Sequence, residues 1–198
     1  LDGRAIFNLA TNALQFVVAE ASGIKDIYGL EGKIFTPGQR GSSAEKATMD
    51  IFKILRIQPN VRHSSYADAV EAMKDKRIVG FSVYSAPNAV ILDVASIMKI
   101  RILSLSDEDI KKVVENTVGL VKGVVPPGIY PGVGEFHTVR NEYMEYARKD
   151  IPDDIVYKIL KSVWKNRMQI QKAYSPFSGD KLAEIAVGTK TCPMHPGA

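Results

Sequence analysis

The chain has 198 residues, 45% apolar and 24% charged, which excludes a disordered or fibrous protein and suffices for one large domain or two small lobes. Its net charge of +4 is spread among interspersed signs without a long basic block, so no nucleic-acid partner is expected. The single cysteine, Cys192, excludes an internal disulfide and a multi-cysteine metal site, and no apolar run approaches the roughly 20 residues that span a bilayer.

LQFVVAE, residues 14–20, is an apolar run suited to a buried strand. SGIKDIYGLEGK reads as a loop with a turn of helix, and KIF as a strand running into TPGQRGSSAEKA. From Ser43 to Ile57 the period becomes helical, with Ala44, Ala47, Ile51, Ile54 and Leu55 on one face. Gln58-Pro59-Asn60 stops that helix. VRHSS is a connection or short strand, and Ser64 or Ser65 caps a second helix carrying Tyr66, Ala69, Val70 and Met73. RIVGFSVYS is a strand that SAPN breaks, and AVILDVASIMK is a third, strongly apolar helix. IRILSL is a strand, and Ser106 caps SDEDIKKVVENT, whose acidic first turn suits the positive end of the helix dipole. This alternation argues for an α/β sheet with largely parallel strands.

VPPGIYPGVGEF, residues 125–136, reads as a crossing segment and HTVRNEYMEYA as a strand. DIPDDIVYKILKSVWKNRMQIQKA is the longest helix, with Pro152, Asp153 and Asp154 in its first turn and Ile155, Ile159, Leu160 and Val163 as its apolar stripe. Trp164 is assigned to core in that helix. The tail reads as a shorter helix and a proline-bounded loop. The chain opens at Leu1, not at a methionine, and stops at HPGA; both ends read as cut, so the lack of a signal peptide carries no information about compartment.

Two strand-to-helix turns stand out. TPGQRGSSAEKA lacks the Gly-Lys pair of a Walker loop, and the spacing of Gly38 and Gly41 is not that of a dinucleotide fingerprint. Two readings stay open for it. Ser42 or Ser43 caps the helix; or Gly41, Ser42 and Ser43 hold an anion on the first free N–H groups, with Arg40 adding a fork that suits a carboxylate. The second turn, VYSAPNAVILD, sets Ser85, Pro87 and Asn88 at a strand–helix junction, which reads either as a Pro/Asn helix start with no ligand or as a second ligand-facing turn. In an open α/β sheet both junctions fall at the carboxyl edge, where ligands bind. Tyr130, in IYPG, stands between two candidate lobes, and two readings stay open for it: it faces a cleft, or it packs on its own loop. His63, His137 and His195 show no metal-ligand spacing, so neither a metal nor a cofactor is expected.

The ordered set SGIKDIYGLEGK, TPGQRGSSAEKATMDIFKIL, VGFSVYSAPNAVILDVA, IRILSLSDEDIKKVV, PPGIYPG, RKDIPDDIVYKILKSVW and HPGA, over roughly residues 14–198, resembles the TAXI family of TRAP-transporter solute receptors. The resemblance implies a type II periplasmic-binding-protein fold, two α/β lobes joined by crossing strands with the solute in the cleft. Residues 26–132 would form lobe two, with ligand-facing turns at 38–44 and 84–88. Residues 1–25 and 133–198 would form the hinge and the later part of lobe one, the earlier part preceding Leu1. It also implies a signal peptide in the precursor, a periplasmic or extracytoplasmic location, no enzymatic activity, and delivery of a small carboxylate-bearing solute to TRAP membrane permease subunits. Position by position, Gly41, Ser42 and Ser43 would meet the carboxylate, Ser85, Ala86 and Pro87 the opposite side, and Tyr130 would lie near the hinge. The family turn often reads G-S-G-T; Arg40 and Ser43 depart from it.

Two rivals use the same architecture. A cleft enzyme, such as a phosphoribosyl- or pyrimidine-handling protein, needs a base or nucleophile, and the sequence places no His, Cys or paired carboxylate near either turn. A ligand-sensing regulatory domain would carry a DNA-binding helix pair upstream.

Overall fold

The computed structural model describes residues 2–173 and 192–198, so the short helix expected in the tail lies outside it. Two compact units are present, one formed by Ala13–Arg140 and the other by Leu1–Asn12 with Asn141–Ala198. Strands β1 (Gly3–Ala19) and β7 (Phe136–Arg148) each contribute to both.

The Ala13–Arg140 unit is a sheet covered on both faces. Its elements after β1 are β2 (Ile34–Thr36), α1 (Ser43–Leu55), β3 (Asn60–Val61), α2 (Tyr66–Lys74), β4 (Gly80–Tyr84), α3 (Ala89–Ile97), β5 (Ile100–Leu103), α4 (Asp107–Asn116) and β6 (Leu120–Val125). β2 lies between β3 and β4 and pairs parallel with both, while β1 pairs antiparallel with β4 and with β5. Strands β2 to β5 therefore share one direction and β1 runs against them. Among these five strands, β1 is the departure from the largely parallel sheet: its long run is fed from the other unit and not from a crossover helix.

Connection handedness explains the layers. The step from β2 out to β3 and the step from β3 back to β4 run opposite ways along the sheet. Right-handed crossovers then require α1 and α2 on opposite faces. The cores agree. Leu14, Phe16 and Val18 of β1 face a cluster with Ala47, Ile51, Phe52 and Leu55 of α1 and Ile110 and Val113 of α4. Ala13 and Val17 face Ala69, Val70 and Met73 of α2 and Ile91 and Val94 of α3. The strand's period of two thus sorts one apolar run onto two helical layers. Phe16, Phe35 and Phe52 meet with ring centroids 5.8–6.3 Å apart. Gly80 is required where β4 meets β1, since a Cβ there would stand 2.0 Å from the Val17 carbonyl oxygen.

The helices start as the sequence predicts. Ser42, Ser65 and Ser106 each accept the backbone N–H three residues on, and Asn88 accepts that of Val90. α1 ends at Leu55 because Arg56 turns left-handed at φ 58°, two residues before the expected end.

The second unit packs Ile6 and Phe7 against Val156 of α5 (Asp153–Lys165), with Ala147, Ile151, Leu160, Val163 and Ile170 around them. The expected single long helix stops at Asn166, and α6 (Arg167–Ala173) follows. The stripe is also corrected. Ile155 and Ile159 are exposed, and Trp164 is stacked by the Arg167 guanidinium 4.3 Å from its ring, not enclosed in a core. Asp153 and Asp154 occupy the first turn, as the dipole favours. Two strands were not foreseen: β6, and β1 before Leu14.

The loop before β2 is tied to α4. The Tyr28 hydroxyl donates to Asp109 at 2.5 Å, and Asp109 also receives the Ser106 hydroxyl. That bond to a carboxylate, more than burial, pushes the Tyr28 hydroxyl up to about 12. A folded pKa above the unfolded value near 10 gives stability that is complete below pH 10 and lost as pH rises toward 12. Thermal melts across pH 9–12 should show a shallower decline for Tyr28→Phe than for the wild type.

Candidate functional site

Parallel pairing of β2 with β4, in the register Phe35↔Gly80 and Thr36↔Phe81, brings their carboxyl ends to the same edge of the sheet. The turn after β2 leads into α1 and the turn after β4 into α3, so two helix N-termini open at neighbouring points. This is the edge at which α/β sheets bind ligands.

In the first turn Arg40 and Gly41 are exposed, with Gly41 at φ 76°. Ser42 is the N-cap; its Oγ accepts the Glu45 N–H at 3.1 Å. Ser43 is exposed at the first helical position. The capping reading therefore holds for Ser42, whose hydroxyl hydrogen remains a donor. Gly38, at φ 107°, lies beneath it: a Cβ there would stand 3.2 Å from Ser42 Oγ and 3.5 Å from the Tyr66 hydroxyl. The absent side chain lets two hydroxyls from two helices converge.

One contact at this turn, that of His63, was invisible in the sequence. Glu45 accepts the Gly41 N–H at 3.2 Å through one carboxylate oxygen and meets His63 Nε2 at 3.1 Å through the other. The absence of histidine near either turn is thereby corrected, because β3 and the segment after it fold back beside β2. The arrangement is not that of an activated nucleophile. The described contacts of His63 include no hydroxyl, and Ser42 and His63 each engage Glu45 separately. Glu45 places a negative charge where a solute carboxylate would also seek N–H groups. Among the described contacts, the N–H groups of Ser43 and Ala44 have no protein acceptor.

The second turn is fixed from below. Ser85 ends β4 in a left-handed conformation, φ 77°, which is rare for serine. Asn88 Nδ2 donates to the Tyr84 carbonyl at 2.9 Å. Tyr130 is 1% exposed and its hydroxyl accepts the Asn88 N–H at 2.9 Å. It supports the turn from within this unit and presents no open face, which corrects the expectation that it faces a cleft. Burial raises its hydroxyl above the ordinary tyrosine value, so it stays protonated. Tyr84 is pushed up to about 12 by burial. Ala86 is half-buried and Pro87 exposed on the outer side. Gln15, fully buried on β1, donates from Nε2 to the Ser85 carbonyl at 2.6 Å. Its signal in the sequence was a lone amide within the apolar run LQFVVAE.

The other unit holds a separate groove of about 800 Å³ lined by Ile6, Phe7, Tyr157, Leu160, Val163 and Trp164. Among the described residues no cluster of His, Cys, Asp and Glu could hold a metal, and no helix is long and apolar enough to cross a membrane.

Stability separates capping from exposure at the first turn. Ser42→Ala should cost about 1 kcal/mol in urea unfolding, and Ser43→Ala should stay within about 0.5 kcal/mol of the wild type.

Residues 2–198 match the sequence model of the NMT1-like family. Among solved structures, the chain is similar to the arginine-, lysine-, histidine-binding protein ArtJ from Geobacillus stearothermophilus, with TM-score 0.51 and 13% identity over 89% of this chain and 63% of that one. It is also similar to an ancestral arginine-binding protein bound to arginine, with TM-score 0.51 and 16% identity over 88% and 64%. A periplasmic binding protein from Brucella ovis with glutathione bound gives TM-score 0.49 and 12% identity over 88% and 49%. The likeness to the two structures with TM-score 0.51 shows the fold, that of type II periplasmic binding proteins, and the chain spans about half to two thirds of the length of the three proteins.

Proposed function

We propose, from the premise that the chain belongs to the NMT1-like family, that it is the solute-binding receptor of a transport system and not an enzyme. The observation that supports this reading is the pair of turns at the ends of β2 and β4, which offer backbone N–H groups and hydroxyls at one edge of the sheet. The solute is a small carboxylate-bearing molecule: a glutamate-like amino acid, or a 2-oxo or dicarboxylic acid. Its carboxylate docks on Ser43 and Ala44 at the start of α1, with the Ser42 hydroxyl and Arg40 beside it and Ala86 and Pro87 across from it. The unit containing residues 26–132 serves as lobe two.

The sequence resemblance to TAXI receptors supports a TRAP-type membrane permease as the partner and an extracytoplasmic location. The similar proteins' names supply the general class, amino-acid and small-solute binding, and leave the solute of this chain to experiment.

Titration calorimetry of the complete protein with L-glutamate, 2-oxoglutarate and succinate tests the reading. At least one acid should bind saturably, and the Ser42→Ala/Ser43→Ala double variant should weaken it about tenfold, roughly 1.4 kcal/mol. An unchanged dissociation constant would sink the site assignment. Uptake that stops on collapse of the ion gradient supports the TRAP partner, and uptake that follows ATP instead rejects it.

A further inference from the structure

Gln15 is a buried polar side chain that packing alone does not explain. It lies opposite Val83 on β1, on the sheet face whose apolar members include Ala13, Val17, Phe81 and Val83. A leucine or methionine there would bury its whole length among apolar neighbours. The amide instead gives Nε2 to the Ser85 carbonyl and leaves Oε1 buried with no partner. The bond to the carbonyl fixes which way the amide is turned. An orphan buried acceptor is costly, and such costs, like the left-handed Ser85, collect where a fold holds a site in shape.

The geometry of one peptide unit shows what is held. The Ser85–Ala86 bond is trans, so its C=O and N–H point in opposite directions. With the Ser85 carbonyl drawn inward onto Gln15, the Ala86 N–H points to the outer side of the turn. Among the described residues it has no acceptor, whereas the next free amide, that of Asn88, is taken up by Tyr130.

We infer that Gln15 is a positioning residue: by holding the Ser85 carbonyl it aims the Ala86 N–H outward as the donor of the second turn, there to receive an oxygen of the bound solute. The inference rests on the receptor reading for its ligand but not for its geometry. It places the specificity of the second turn in a backbone donor set from beneath by a strand residue. The solute must therefore present an acceptor oxygen at this turn as well as a carboxylate at the start of α1.

The test uses the complete protein, [15N]Ala-labelled, and its Gln15→Met variant. In the solute-free wild type the Ala86 amide should exchange with solvent far faster than the amides of β4, and its resonance should move in Gln15→Met as the turn relaxes. On titration with L-glutamate, 2-oxoglutarate or succinate, the Ala86 amide proton should shift downfield. Gln15→Met should bind the same acid about tenfold more weakly with an equal or higher Tm, an outcome that a merely structural role would not give. An Ala86 amide protected like the sheet, a resonance unmoved in Gln15→Met, wild-type affinity in that variant, or a loss of affinity matched by a loss of Tm each overturns the inference. If none of the three acids binds the wild type, the carboxylate reading fails, and the solute-free exchange and resonance still decide the role of Gln15.

Discussion

The parallel pairing of β2 with β4 is the constraint from which the site follows. Parallel strands cannot be joined by a tight turn, so each must hand the chain to a crossover that begins at its carboxyl end. Two such ends side by side put the starts of α1 and α3 at one edge, each with four N–H groups that the helix itself cannot satisfy. The apolar content of Phe35, Phe81 and Val83 holds the strands between two helical layers, and Gly80 lets β4 approach β1 closely enough to complete the sheet. Rigidity below the edge leaves the turns above it to carry the chemistry.

The two turns meet their unsatisfied groups differently. The first is capped by its own sequence: Ser42 and Glu45 exchange bonds with neighbouring backbone, and His63 braces the Glu45 carboxylate. That stabilises α1, and it also sets a negative charge beside the remaining donors. The second turn is shaped from inside, through Gln15 and Tyr130, at the cost of a left-handed serine and an unpaired amide oxygen. One turn is thus held by local capping and the other by contacts from distant strands and loops.

Among the described residues, the unit formed by the two ends of the chain has the smaller buried apolar cluster. Ile6, Phe7 and Val156 form that cluster, while Ile155, Ile159, Trp164 and Met168 of α5 and α6 remain exposed. The backbone of the final segment is stitched to β1: Ala5 N–H donates to Pro193, and His195 N–H to Ala5. Helix α5 has the composition of an amphipathic helix, and its apolar stripe is wider than the described residues of this unit cover.

The sequence by itself determined most of the local structure and the fold class. Serine caps, prolines, apolar periods and the strand–helix alternation are nearest-neighbour signals, and Ser42, Ser65, Asn88 and Ser106 cap where the pattern says they should. The two turns were legible for the same reason. Strand β6 was not, because LVKGVV is short and broken by a glycine, nor was the first half of β1, whose alternation is diluted by Asn8 and Asn12. Tertiary structure alone decided the direction of β1, since antiparallel pairing leaves no mark on a single apolar run. It alone also brought His63 to Glu45, Tyr66 to Gly38, and Gln15 and Tyr130 to the second turn. These partners lie 18 to 70 residues apart in the chain. Nothing local requires them to meet, and it is the burial of the sheet's two faces that forces their encounter.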